Sequence, residues 1–146
     1  MSKAGVVFTK DNEYYTPKFV IDMFGQFDYD PATVPAKAEE FGIPNFDTIE
    51  TDGLLDDWTK YKRIWINPPF TRKHEFLAKA QQTYDKVKNE IYVLFPIEFL
   101  TTKRFRDTCR GGVLVYTRWS YKFSKWFRQK GYITSIWQRN FKITGN

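Results

Sequence analysis

The chain has 146 residues, a length typical of one compact domain, and 42% of them are hydrophobic, which argues against global disorder. The formal net charge is +6 but it is unevenly distributed: residues 101–146 hold eleven Lys and Arg against one acidic residue, whereas residues 1–100 are net negative. We expect one domain over residues 1–146 with a basic, aromatic C-terminal segment, 101–146. Such a segment suits a polyanion with stackable bases, although a basic flank without a nucleic-acid ligand is the alternative.

Several protein classes are disfavoured by what the sequence lacks. Cys109 is the single cysteine, so no intramolecular disulfide can form, which fits a reducing cytoplasm. Residues 1–15 contain no apolar stretch typical of a signal peptide, and no run approaches the ~18 apolar residues of a membrane span. His74 is the single histidine, so a His/Cys metal site or a Ser-His-Asp hydrolase is disfavoured. We expect a cytoplasmic protein without membrane span or metal.

The first half of the chain predicts a helix, a short strand and a long loop. Thr16 is a plausible N-cap with Pro17 at the first helical position, and Gly25 is a plausible end of that helix. Its apolar face is predicted to contain Phe19, Val20, Met23 and Phe24. A strand is predicted at 27–30, and residues 31–57 resemble a loop with a helical turn around 36–41.

The second half alternates strands and helices more regularly. Apolar, β-branched runs predict strands, and apolar residues at helical spacing predict helices. The predicted strands are 63–66, 91–95 and 113–116, the predicted helices are 73–89 and 101–109, and residues 131–144 are predicted to form a hairpin or a strand pair. The buried face of helix 73–89 would carry Phe76, Leu77, Ala80, Tyr84 and Val87, and Trp58 and Trp65 are expected in the core. This alternation predicts an α/β fold with a mostly parallel sheet flanked by helices.

The most specific feature is Asn67-Pro68-Pro69-Phe70, directly after an apolar strand. Ligands of parallel sheets bind beyond the carboxyl ends of the strands. A residue before proline is pushed toward an extended conformation, so the amide oxygen of Asn67 and the carbonyl of Pro68 can point the same way. Two such acceptors suit a planar amino group, and Phe70 could stack on the ring that carries it. The alternative is an ordinary strand-terminating turn.

This string resembles the catalytic motif of amino-methyltransferases acting on adenine N6, in which Asp, Asn or Ser precedes Pro-Pro and an aromatic residue. Its surroundings resemble, more narrowly, the small phage-type DNA N6-adenine methyltransferases. The matching strings, in the family's order, are Glu13-Tyr14-Tyr15-Thr16-Pro17, Phe27-Asp28-Tyr29-Asp30-Pro31-Ala32, Thr51-Asp52-Gly53-Leu54 with Trp58, Ile64-Trp65-Ile66-Asn67-Pro68-Pro69-Phe70 and Val93-Leu94-Phe95-Pro96.

The resemblance implies a Rossmann-like methyltransferase domain that uses S-adenosylmethionine. Tyr15, Thr16 and Pro17 would lie near the methionine end of this cofactor. Asp30 would face its ammonium or hydroxyl groups, and Asp52 would lie by its adenosine. Residues 67–70 would hold the target adenine. Helix capping by Thr16-Pro17 and simple turns at Asp30-Pro31 and Asp52-Gly53 are the competing explanations.

The same resemblance implies DNA as the partner and, for a phage-encoded protein, the host cytoplasm as the location. The basic residues expected to contact phosphates are Lys103, Arg104, Arg106, Arg110, Arg118 and Lys122. The chain has no room for a separate target-recognition domain, and the sequence leaves monomer or homodimer undecided.

Two other hypotheses remain open. The predicted loop after the first strand, 30–35, lacks the Gly-x-Gly turn of most methyltransferases, so the chain could be a non-catalytic nucleic-acid-binding module on a degenerate fold. Alternatively, residues 67–70 could grip an amine of cytosine, of RNA adenine or of a protein glutamine.

Overall fold

A computed structural model describes residues 18–96, 101–108, 113–116 and 134–139 of the chain. Within these ranges helices and strands alternate. The helices are α1 Lys18–Asp22, α2 Pro35–Phe41, α3 Lys73–Val87 and α4 Lys103–Thr108. The strands are β1 Tyr29–Asp30, β2 Asn45–Phe46, β3 Arg63–Ile66, β4 Glu90–Pro96, β5 Val113–Tyr116 and β6 Thr134–Arg139. Three short 3-10 turns, Gly53–Leu55, Trp58–Lys60 and Phe70–Arg72, lie between them.

The strands form one six-stranded sheet in the order β2-β1-β3-β4-β6-β5. The neighbours from β2 to β4 are parallel, whereas β6 runs antiparallel to both β4 and β5. This confirms the predicted α/β class with a mostly parallel sheet. The hairpin or strand pair predicted within 131–144 stays a prediction, because the described part of that range contains one strand, β6, which lies between β5 and β4.

Around β3 and β4 both faces of the sheet are buried, as expected of parallel strands between helices. Side chains alternate in β3, where Ile64 and Ile66 face one side and Trp65 the other. The first face packs on α3 and on Trp58 in a cluster of Tyr29, Trp58, Ile64, Ile66, Phe76, Leu77, Ala80, Ile91 and Val93. The second packs on α1 and on the α2–β2 connection in a cluster of Val20, Ile21, Phe27, Ile43, Trp65, Tyr92 and Leu94. The expectation that Trp58 and Trp65 belong to the core is confirmed.

The predicted helix faces needed two corrections. In α1 the predicted face is confirmed at Val20 and Phe24, which pack in the core, and wrong at Phe19 and Met23, which are exposed, whereas Ile21 is buried. The reason is that α1 covers the sheet with barely one turn, too short for a repeating stripe to define its orientation. In α3 the predicted face is confirmed except at Val87, which is exposed because the helix ends there and Lys88 adopts a left-handed conformation.

The described loops are more structured than the sequence indicated. The turn expected at 36–41 is a helix, α2, with Pro35 at its start and Gly42 in the left-handed conformation at its end. It lies within 31–57 and is followed by the two-residue strand β2. The predicted N-cap Thr16 and first helical residue Pro17 lie outside the described residues. No helix in the described ranges is both long and apolar enough to cross a membrane.

Because β1 to β4 are parallel, their carboxyl ends meet at one edge of the sheet. This edge therefore brings together the segments that begin at Pro31, Asp47 and Asn67.

Candidate active site

The Asn-Pro-Pro-Phe turn (residues 67–70) lies directly at the carboxyl end of β3, as the sequence predicted. Pro68 is buried, and Asn67 and Pro69 are half-buried. Pro69 is extended, with φ −61° and ψ 141°, and its carbonyl accepts a hydrogen bond of 3.0 Å from the Arg72 amide. This bond closes the 3-10 turn that leads into α3, while the Phe70 side chain lies outside the described part. The paired prolines thus fix the path from the strand into the helix.

Asp30 ends β1 at the same edge and is almost fully buried, with 2% of its surface exposed. Its Oδ1 accepts a hydrogen bond of 2.9 Å from the Ala32 amide. Burial raises the pKa of Asp30 from 3.8 to about 7, although that hydrogen bond opposes the rise. A buried carboxylate at a strand end is costly without a cation nearby, which makes this position a candidate for binding a positively charged group.

The segment that follows β2 is hydrogen-bonded to the end of β1. Asp47 donates its backbone amide to the Asp30 carbonyl at 3.0 Å, and its Oδ2 accepts from the Tyr29 hydroxyl at 2.6 Å. The sequence analysis did not single out Asp47. The available signal is an acidic residue directly after Phe46, but β2 has only two residues and is too short to be recognised from the sequence.

Asp52 has an unusual backbone conformation, with φ 56° and ψ 91°. Its Oδ1 accepts hydrogen bonds from the Leu54 amide at 3.2 Å and from Arg72 Nη1 at 3.3 Å. Gly53 packs against the backbone of Pro31, so closely that a β-carbon on Gly53 would lie 2.8 Å from the Pro31 carbonyl carbon. The structure therefore brings the Asp52-Gly53 turn next to the end of β1 and, through Arg72, next to the turn at residues 67–70.

A comparison with known proteins shows to which family the chain belongs. The model of the family described as DNA N-6-adenine-methyltransferase (Dam) matches residues 8–117. The chain belongs to the Dam family. Its similar proteins include a DNA N-6-adenine-methyltransferase of Escherichia phage T1, which is 33% identical over 87 residues. That match covers 57% of this chain and 35% of the phage protein, so the chain spans about a third of its relative's length. The family resemblance stated from the sequence is confirmed.

Membership in the Dam family makes the basic residues of α4 relevant. Lys103, Arg104 and Arg106 are all exposed, and α4 contacts α3. Lys103 forms an ion pair of 2.7 Å with Asp107, which raises the pKa of Lys103, and Arg106 Nη1 donates to the Thr101 carbonyl at 3.0 Å. Arg110, Arg118 and Lys122 lie outside the described residues, as do Tyr15, Thr16 and Pro17.

Arg104 differs from its neighbours on α4 in its electrostatic surroundings. Partial burial of His74 lowers its pKa, and the positive charges of Arg104 and Lys73 lower it further. His74 belongs to the first turn of α3, directly after the 3-10 turn that Phe70 begins. The positive charge of Arg104 therefore acts on the beginning of α3, which α4 contacts.

The described part of this Dam-family chain contains no group of three or more His, Cys, Asp or Glu residues that could hold a metal ion. The polar groups gathered at the sheet edge are carboxylates and an amide, from Asp30, Asp52 and Asn67. Carboxylates and amide oxygens accept hydrogen bonds, and carboxylates also pair with cations. The site can thus bind a cationic ligand and an amino group on adjacent segments.

Proposed function

We propose that this chain transfers a methyl group from S-adenosylmethionine to the N6 amine of adenine in DNA. The observation that carries the proposal is the position of the Asn-Pro-Pro-Phe turn at the carboxyl end of β3, beside the Asp52-Gly53 turn, in a chain of the Dam family. The name of the phage T1 protein supports the same substrate.

The chemistry of the residues fits S-adenosylmethionine. The cofactor carries an ammonium and a sulfonium, and Asp30 is a buried carboxyl group at the strand end. A nearby cation would favour the ionised form of Asp30, which burial now disfavours. Asp52 would accept from the adenosine, and Tyr15, Thr16 and Pro17 would lie near the methionine end. When bound, the cofactor supplies an already activated methyl group.

Asn67 and Pro68 would act on the adenine amine. Its lone pair is delocalised into the ring, which makes it a poor nucleophile. Hydrogen bonds from its two N–H groups to the Asn67 amide oxygen and the Pro68 carbonyl would favour a pyramidal nitrogen and stabilise the positive charge that develops on it. The cofactor would supply the methyl carbon, whose bond to sulfur would break as its bond to N6 forms. The proton then leaves N6 to water, so no general base is required.

Phe70 would receive the adenine. An adenine in duplex DNA must leave the base stack before its amine can be reached, and an aromatic face stabilises the flipped base. Positioning of the amine by residues 67–70 would contribute much of the remaining rate enhancement.

The decisive experiment is methyl transfer from labelled S-adenosylmethionine to unmethylated DNA, followed by digestion and identification of the labelled nucleoside. We expect label in N6-methyladenine from the wild type and a loss of ~10²–10³-fold in the Asn67→Ala variant. Asn45→Ala is the matched control, because Asn45 lies in β2 and donates to the Asp28 carbonyl at the other end of β1. Unchanged transfer by Asn67→Ala would refute the role of that residue.

The labelled nucleoside also separates the alternatives. Label in cytosine would keep the reaction and change the substrate, and absence of label on DNA that the chain binds would make RNA the next substrate to test. Tight DNA binding without cofactor binding in titration calorimetry would favour the non-catalytic module.

A further inference from the structure

The loop at residues 52–57 is fastened to the beginning of α3 by one ion pair. Arg72 Nη1 lies 3.3 Å from Asp52 Oδ1, and Arg72 Nε lies 3.2 Å from Glu75 Oε1 in the first turn of α3. Arg72 follows Phe70 by two positions and belongs to the same 3-10 turn. The guanidinium therefore connects the segment proposed to hold the target base with the segment proposed to hold the adenosine.

The backbone of Asp52 explains why this connection is needed. A φ of 56° is unfavourable for a residue other than glycine, and it persists only where the surroundings hold it. Two contacts to the Asp52 carboxylate do so here, from the Leu54 amide and from Arg72. On the other side, Gly53 lies against Pro31, which leaves the turn little freedom to relax toward β1.

A second cation, Lys79 of α3, contacts the far end of the loop at residues 52–57. Lys79 Nζ donates to the Leu54 carbonyl at 2.7 Å and to the Asp56 carbonyl, and it lies 5.2 Å from the centre of the Trp58 ring. These contacts fix the loop as a whole on α3. Arg72 is the contact that reaches the Asp52 carboxylate itself.

We propose that Arg72 is a positioning residue that sets the Asp52 carboxylate for the cofactor and couples cofactor binding to the Asn-Pro-Pro-Phe turn. The inference rests on the proposed function, because it assigns Arg72 a role toward the same cofactor. The pair is partly exposed, with 38% of the Arg72 side chain and 28% of the Asp52 side chain accessible, so its effect should be moderate.

The test is titration calorimetry with S-adenosylmethionine in the absence of DNA. We expect Arg72→Gln to weaken cofactor binding by about two- to fivefold and Arg72→Lys to restore part of the affinity. Lys86→Gln removes one positive charge from the exposed side of α3 and should leave the affinity unchanged. Urea unfolding of each variant shows whether the fold is retained.

A double-mutant cycle separates positioning from a general loss of structure. If Arg72 acts through Asp52, Arg72→Gln should have little further effect on cofactor affinity in an Asp52→Asn background. Equal effects in both backgrounds would overturn the proposal. So would unchanged cofactor affinity with weakened DNA affinity, which would make Arg72 a phosphate contact.

The same measurements distinguish the two proposals. A wild type that neither binds S-adenosylmethionine nor methylates DNA would overturn the proposed function and this inference with it. A wild type that does both, with an Arg72→Gln variant of equal cofactor affinity, would overturn the inference on Arg72 alone.

Discussion

Asp30 is a residue whose proposed function would require a charge state that the fold disfavours. The carboxyl group is buried at the end of β1, where the folded chain favours its neutral form and a bound cation would favour its charged form. The position therefore costs stability at neutral pH in the absence of a ligand. Such a cost is typical of groups retained for binding.

The raised pKa of Asp30 makes a testable prediction about stability. Because the folded-state pKa of about 7 lies above the ordinary 3.8, the stabilising effect of the protonated form is complete below pH ~4 and is lost as the pH rises through about 7. This difference between the two pKa values corresponds to at most roughly 4 kcal/mol of unfolding free energy. We expect Asp30→Asn to flatten this part of the profile of unfolding free energy, measured in urea between pH 4 and 8. An identical profile in both proteins would contradict the raised pKa.

A second prediction at this residue concerns the ligand. If the ammonium of S-adenosylmethionine pairs with Asp30, binding near pH 7 must release a proton, because the cation lowers the pKa of the carboxyl group. Calorimetry in buffers with different ionisation enthalpies measures the number of protons released. We expect a fraction of one proton for the wild type and less for Asp30→Asn. Equal proton release from both would remove Asp30 from the cofactor site.

Single residues also show what sequence can and cannot reveal about the site. The position of Asn67 could be predicted because it lies between the apolar run 64–66 of β3 and two prolines, which are both local signals. Arg72 could not, since its partner Asp52 is twenty positions away and the pair depends on how the 52–57 loop folds over α3. The roles of Asp30 and Asp52 toward the cofactor stay predictions.

Among the elements, the Asp52-Gly53 turn has little room for an added side chain. A β-carbon on Gly53 would lie 2.7 Å from Pro31 Cβ and 2.8 Å from the Pro31 carbonyl carbon, so the backbone itself must move. We expect Gly53→Ala to lower the unfolding free energy by about 1–3 kcal/mol and to weaken cofactor binding as well. Urea unfolding and calorimetry measure the two effects.

Gly42 is the matched control for Gly53. It has a φ of +70° at the end of α2, with no atom within 4 Å of an added β-carbon. Gly42→Ala should therefore cost only about 1 kcal/mol, through the left-handed backbone alone, and should leave cofactor binding unchanged. A larger loss of stability at Gly42 than at Gly53 would contradict the close approach to Pro31.

The elements differ in how well the sequence defines them. The strand β3 and the helix α3 could be predicted with nearly correct bounds because both carry a clear apolar period over several residues. The helix α1 and the strand β2 could not, because five and two residues are too few for a period to orient them. Tertiary contacts decide their placement, such as the packing of Val20 and Ile21 on Trp65 and Tyr92.

At the scale of the whole molecule, the positive charge is concentrated in one segment, and the described beginning of that segment, α4, contacts α3. The strongly basic segment 101–146 follows the acidic part of the chain, and α4 places its first basic residues beside α3. The sequence alone shows that charge is unevenly distributed along the chain, but it does not show which part of the fold lies beside the basic residues. The contact of α4 with α3 and the effect of the Arg104 charge on the pKa of His74 put Arg104 near the beginning of α3.

This geometry predicts unequal contributions to DNA binding from neighbouring cations. A phosphate contact releases counterions, so log affinity falls as log salt rises. Removing one such contact makes this negative slope shallower by about 1. Arg104→Gln should show that change, whereas Lys103→Gln should show less because Asp107 already pairs with Lys103 at 2.7 Å. Fluorescence anisotropy with a labelled duplex over roughly 50 to 200 mM salt measures the slopes. Lys86→Gln is the control for a change in net charge. Equal slopes for Arg104→Gln and Lys86→Gln would place the DNA away from the beginning of α3, and the Asn-Pro-Pro-Phe turn would then have no bound strand beside it from which to receive a base.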